Sequence, residues 1–150
     1  VSAAPASIVI SAHQPFALDH ARQSEVAQLD WKCFPGDFSE GWRCDNHVIL
    51  ARRLGKPVGY VLFRAAEDGS NVAFLTRVGC LPDERGQGLA RKLIARSFRE
   101  AKARGFRAMV TYCFTNNPAS ANALIAAGFR ICSLPKPLCE GAIHFTRTLG

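Results

Sequence analysis

The 150-residue chain has no C-x-x-C pair and no grouping of His, Cys and Asp at metal-ligand spacing, so neither a zinc ribbon nor a redox dithiol is expected. Its six cysteines (33, 44, 80, 113, 132 and 139) lie mostly inside apolar segments and form no spaced framework. That usage fits reduced thiols in a cytoplasmic protein. No apolar run approaches a membrane span, and Val1 to Ala12 has neither the basic start nor the long apolar stretch of a signal peptide. A membrane partner is therefore not expected. Repeats, linkers and low-complexity segments are missing too, which leaves one domain over residues 1–150. Acidic residues are the scarce charge: 12 stand against 19 Lys and Arg, for a formal net charge of +7. Such a balance suits an anionic cofactor or a nucleic acid. The chain lacks the aromatic-basic interleaving of an RNA-binding strand, so nucleic acid ranks last.

What is present is organised around Asn71 to Phe98. An apolar run from Ala73 to Leu81 reads as a strand, Pro82-Asp83-Glu84 as a turn, and Arg85-Gly86-Gln87-Gly88-Leu89-Ala90 as the opening of a helix. A strand feeding a glycine-containing turn and a helix N terminus gathers free backbone N–H groups and the positive end of a helix dipole. This is an anion site, most naturally for phosphate. It is not a P-loop, because Gly88 is followed by Leu89-Ala90 where Lys-Ser/Thr is needed. Nor is it a dinucleotide fingerprint, since Arg91 stands where a small residue is wanted and Phe106-Arg107 stand where the acidic residue should be. In the helix, Leu89, Leu93, Ile94, Phe98 and Ala101 repeat at core spacing, with Lys92, Arg96 and Arg99 expected to be solvated and Arg91 nearer the loop.

Along the rest of the chain, Ser7 to Ser11 reads as a short strand, and Leu18 to Phe34 as a helix burying Val26, Ala27, Leu29 and Phe34. Asp37 to Trp42 adds a helical turn. His47 to Arg52 and Val58 to Arg64 form a hairpin around Leu54-Gly55-Lys56-Pro57, antiparallel to the organising strand. Ala108 to Phe114 is a strand that the intervening helix makes parallel to the organising one. A helix over Asn116 to Ala127 follows, then two final strands, Phe129 to Ser133 and Ala142 to Thr148. The expected fold class is α/β (α+β), a single mixed, mostly antiparallel sheet flanked by helices.

Arg85, Gly88 and Ala90 fill the pattern Arg/Gln-x-x-Gly-x-Gly/Ala after a Val78-x-Cys80-x-Pro82 strand end. Asn117-Pro118-Ala119-Ser120 and Ala127-Gly128-Phe129 follow at the separation of a second motif. Together, over Ala73 to Phe129, they resemble the GNAT superfamily of acyl-CoA-dependent N-acetyltransferases. The resemblance implies a sheet whose fourth and fifth strands splay apart to admit acetyl-CoA. It implies contacts from Val78, Gly79 and Cys80 to the pantetheine, and from Arg85, Gly86, Gln87, Gly88, Leu89, Ala90 and Arg91 to the pyrophosphate. Asn117 and Ser120 would reach the cofactor from the far side, although they also read as a helix cap and a packing residue.

The resemblance further implies direct acyl transfer to a primary amine of a small molecule or a peptide. Relatives that acetylate protein N termini often carry a Glu on the fifth strand and a Tyr on the next helix; Tyr112 and Leu124 stand there instead. Tyr112 is then the candidate catalytic residue, with His47, His144 and Glu140 as loop or strand-end candidates. A site without a strong base favours an amine of low pKa: at pH 7, deprotonation costs about 4.6 kcal/mol for a lysine-type amine and about 1 kcal/mol for an α-amino group. Cofactor binding without catalysis is the alternative. A homodimer is left open.

Overall fold

The computed structural model describes residues 7–15, 17, 19–36 and 45–150. Seven strands form one sheet in the order β1-β2-β3-β4-β5-β7-β6. They are β1 Ile8–His13, β2 His47–Arg53, β3 Lys56–Ala65, β4 Val72–Cys80, β5 Ala108–Cys113, β6 Arg130–Cys132 and β7 Ile143–Thr148. Among the described residues there are three α-helices, α1 His20–Cys33, α2 Leu89–Ala103 and α3 Pro118–Ala126. All neighbouring strands are antiparallel except β4 and β5, which are parallel as the crossover through α2 requires. The last strand enters between β5 and β6, so β6 is an edge.

The two faces of the sheet carry separate cores. On one, Leu89, Leu93, Ile94, Phe98 and Ala101 of α2 pack with Ile49, Val61, Phe63, Leu75 and Met109. On the other, Val26, Leu29 and Cys33 of α1 pack with Val48, Leu50, Tyr60 and Leu62. Alternation along each strand divides these sets, as the two-residue period of a strand dictates. β2 and β3 are joined by the two-residue turn Leu54-Gly55, both at positive φ (52° and 75°), so Lys56 and Pro57 belong to the strand.

Several boundaries differ from the sequence expectation for local reasons. α1 starts after Asp19, whose carboxylate accepts from the Arg22 amide at 3.0 Å and caps the helix. Its buried stripe is Val26, Leu29, Asp30 and Cys33, so Ala27 falls outside it and is exposed. Phe34 is half-buried under the Arg77 guanidinium, 4.3 Å from the ring centre. Arg96 is not simply solvated, because its guanidinium donates to the Ile10 carbonyl (3.2 Å) and to Glu100 (3.3 Å). β5 ends at Cys113 and leaves Phe114 exposed. The helical turn expected over Asp37 to Trp42 lies outside the described residues.

On the α1 side of the sheet sits a polar cluster centred on the buried Asp30. The Tyr60 hydroxyl donates to Asp30, and Arg77 donates to the same carboxylate from Nε (2.5 Å) and Nη2 (3.3 Å). Burial, and then the bond to Asp30, pushes the Tyr60 phenol far above its ordinary range. Gly79, directly opposite Tyr60 in the register, makes room for that ring: a Cβ there would stand 2.4 Å from Tyr60 Cε1. Gly79→Ala is accordingly expected to destabilise the fold by about 1–3 kcal/mol, the usual overpacking cost. Urea unfolding measures this directly, and an unchanged midpoint would show that Tyr60 is free to move.

Candidate functional site

β4 and β5 are paired only from Val72 to Phe74 with Ala108 to Val110. Beyond that point the Thr111 hydroxyl donates to the Leu75 carbonyl at 2.8 Å, and then the strands part. The parting coincides with a bulge in β4: Leu62 opposes Arg77 while Phe63 opposes Leu75, so Thr76 is the extra residue. A bulge bends its strand and increases its twist. The rest of β4, through Val78, Gly79 and Cys80, faces a gap on its β5 side while staying paired to β3 on the other. Val78 is half-buried and Cys80 buried against the α2 core.

Past Cys80 the chain turns through Pro82–Glu84 and enters α2 at Gly88. Side-chain contacts from four residues, Arg53, Arg85, Leu89 and Gln87, hold this connection. Arg53 donates to both oxygens of Glu84, at 3.1 and 3.0 Å. Arg85 reaches back to the carbonyls of Cys80 (3.3 Å) and Cys33 (3.0 Å), tying the loop to the end of α1. Leu89 packs on Gly59, where a Cβ would stand 3.1 Å from Leu89 Cδ2. Gln87 donates weakly to the Asp83 carbonyl at 3.4 Å.

The N terminus of α2 is electrostatically open. Gly88, its cap at φ 81°, offers no side chain, and the first turn carries no acidic residue. Gly86 (φ 78°) and Gly88 have no atom within 4 Å of where a Cβ would stand. Both positive φ values favour glycine. The first-turn N–H groups of α2 and the positive end of its dipole thus open at Gly88, and Arg91 in the same turn is exposed. This geometry fits a phosphate-bearing, extended cofactor such as an acyl-CoA. Ala90 is half-buried against the core, and Leu89 points inward, so of these two only the backbone is directed to the loop.

On the far side, Asn117 caps α3 by accepting from the Ser120 amide at 3.1 Å. The Asn117 amide nitrogen and Ser120 hydroxyl make no other hydrogen bond among the described residues. Tyr112 is half-buried on the open part of β5, its phenol raised above the usual value by burial and then by Cys139. It therefore keeps its proton at neutral pH. Leu124 is buried. Burial also pushes the Cys80 thiol up to about 11 and raises Cys113, so both stay protonated.

The three loop or strand-end candidates separate. His144 is the register partner of Tyr112, with ring centres 6.2 Å apart. Its Nε2 accepts from the Leu138 (3.0 Å) and Cys139 (3.3 Å) amides, which leaves the neutral ring's proton on Nδ1. Glu140 is exposed beside it, on a cavity of about 290 Å³ that His144 also lines. His47 lies elsewhere: it stacks on Phe63 at 5.0 Å, and burial, followed by Arg104 at the C-terminal end of α2, lowers its pKa to about 4. Thr111 and Thr76 escaped sequence reading, since a strand threonine carries no distinguishing pattern, and Arg85, singled out there as a pyrophosphate contact, has its guanidinium on the Cys80 and Cys33 carbonyls.

A parallel strand pair that opens beside a helix N terminus is the architecture of acyl-CoA-dependent acetyltransferases. The Acetyltransferase (GNAT) family model matches residues 15–129, and the chain belongs to that family. Solved structures with the same fold include the ribosomal-protein-S18-alanine N-acetyltransferase of Escherichia coli (TM-score 0.74, 17% identity, covering 95% of this chain and 94% of that one). The GNAT-family acetyltransferase of Staphylococcus aureus Mu50 is similar as well (TM-score 0.74, 13% identity, 96% and 100% covered). So is the PaiA N-acetyltransferase of Thermoplasma acidophilum, solved with coenzyme A (TM-score 0.68, 16% identity, 95% and 99% covered). No curated protein matches the chain by sequence.

Proposed function

We propose that this protein transfers an acetyl group from acetyl-CoA to a primary amine by direct attack within a ternary complex. The observation that carries the reading is the gap between β4 and β5, which ends on the uncapped N terminus of α2 and the open glycines 86 and 88. Backbone groups of Val78, Gly79 and Cys80 would hold the pantetheine, and the backbone of residues 85–91 the pyrophosphate. The Arg85 guanidinium, engaged with two carbonyls, would set the loop rather than touch phosphate. The Asn117 amide nitrogen and the Ser120 hydroxyl would approach from α3.

When bound, acetyl-CoA supplies a thioester as acyl donor. The chain's part is to orient a neutral amine so that its nitrogen forms the new C–N bond as the C–S bond breaks. The proton lost by the amine goes to water, and Tyr112 holds a proton at Oη for the departing thiolate. With Tyr112 standing where relatives that acetylate protein N termini carry a glutamate, an amine that deprotonates at low cost near pH 7 suits the site best.

Coenzyme A at about 100 times its dissociation constant is expected to stabilise the protein by roughly 2.7 kcal/mol. Gly88→Val should keep the fold but lose that stabilisation, because a β-branched side chain is strained at positive φ and fills the open space. Differential scanning fluorimetry with millimolar CoA reads both; no shift for the wild type would sink the proposal.

The direct route makes a separate prediction. Cys80 and Cys113 remain protonated thiols and are poor nucleophiles, so the double Cys80→Ala, Cys113→Ala variant should retain most turnover. Tyr112→Phe should slow turnover by about 100-fold or more. Loss of activity in the cysteine variant, with an acetyl-enzyme mass in the wild type, would instead establish a covalent route.

A further inference from the structure

Tyr112 does not stand alone on its face of the sheet. Its ring lies 6.0 Å from Phe74, edge-on to Phe114 at 5.8 Å, and 6.2 Å from His144. Phe74 ends the paired part of β4, Tyr112 lies on β5 beyond the last paired residue, Val110, and Phe114 follows that strand, so these rings flank the mouth of the gap. They occupy the face opposite α2, because Met109 and Cys113, which alternate with Tyr112, belong to the α2 core. Among the described residues α1 packs on that face against β2, β3 and β4. Phe114 is 56% exposed, which is unusual for a ring that already has an aromatic neighbour and a continuous aromatic surface beneath it.

The polar groups nearby do not compete for a cation. Arg64 lies over the Phe74 ring at 5.1 Å, and the Asp30 carboxylate is taken by Arg77 and Tyr60. Glu67 pairs with Arg64 at 3.8 Å. A polyamine would find the exposed Glu140 beside His144 but no carboxylate in the aromatic wall of Phe74, Tyr112 and Phe114, whereas a ring would find Phe114 edge and face.

Resting on the acetyltransferase reading, we propose that the acceptor is the α-amine of an aromatic residue, its ring seated against Phe114 and Tyr112 and its amine directed into the gap. This chemistry joins the two requirements of the site. An α-amine costs only about 1 kcal/mol to deprotonate at pH 7 without a protein base, and an aromatic side chain next to it matches the wall. It occurs in an amino-acid amide and in a peptide N terminus alike, and both present the same atoms to the wall.

The test uses the full chain saturated with acetyl-CoA, with phenylalanine amide, alanine amide, a Phe-Ala-Ala tripeptide amide and spermidine as acceptors. Phenylalanine amide is expected to exceed alanine amide in kcat/KM by roughly tenfold or more, and spermidine by a wider margin. A higher value for the tripeptide than for the amide identifies a peptide terminus as the source, and the reverse a small molecule. Phe114→Ala should raise KM for phenylalanine amide roughly tenfold while the CoA-induced melting shift is retained. Calorimetric titration of phenylalanine amide into the CoA-saturated protein should weaken by the same factor in that variant. Equal use of alanine amide, preference for spermidine, or no acetylation of any amine despite a normal CoA shift would overturn the aromatic assignment. Absence of the CoA shift itself would instead remove the acetyltransferase reading on which it rests.

Discussion

Three paired residues on each side are all that join β4 to β5, and the site depends on how that pairing ends. A parallel pair normally continues until one strand runs out, because every unpaired backbone group in a sheet forfeits a hydrogen bond. Here the ladder stops with both strands still extended. The bulge at Thr76 turns β4 away, and the Thr111 hydroxyl satisfies the Leu75 carbonyl that would otherwise face an absent partner. β4 stays paired to β3 on either side of the bulge and β5 to β7 along its length, so each strand keeps a ladder on its outer side while the space between them opens. The open edge then offers the kind of backbone surface that an extended amide chain can complete.

The rigidity needed to hold such a gap comes from its margins. The Asp30 carboxylate joins α1 to Tyr60 of β3 and Arg77 of β4, directly beside the bulge. Arg85 joins the end of α1 to the loop, and Arg53 with Glu84 joins the loop to the β2–β3 hairpin. Charge-assisted, two-pronged bonds of this kind fix orientation as well as distance. The loop amides and the strand edge are thereby kept in register, which lets a helix N terminus act on the same ligand as a strand six or more residues earlier.

Most of the architecture was legible because it follows from periodicity. The alternating runs of β2, β3 and β5, the core stripe of α2 and the parallel relation of β4 to β5 all come from local pattern and crossover length. The glycine turn into α2 was legible, since Gly86 and Gly88 take positive φ, and the resemblance carried by this loop agrees with the family match. Illegible features were those created by contacts far apart in sequence. Asp30 carries no sequence signal of its burial, because its partners Tyr60 and Arg77 are 30 and 47 residues away. Arg96 belongs to a pattern of exposed cations, yet it serves the Ile10 carbonyl of β1. The bulge shifts a register by one residue in a run whose apolar pattern tolerates either phase. Tyr112 and His144 were separate candidates until the β5–β7 register set them side by side.

The central claim is that acyl-CoA lies in the gap with its phosphates at α2. Hydrogen exchange of the protein with and without coenzyme A tests it most directly. Slower exchange is expected at the backbone amides of residues 76–80 and 86–91, with the paired segment at Val72 to Phe74 unchanged. Protection confined to the exposed cations on the outer face of α2, with the strand edge and loop exchanging as before, would contradict the account.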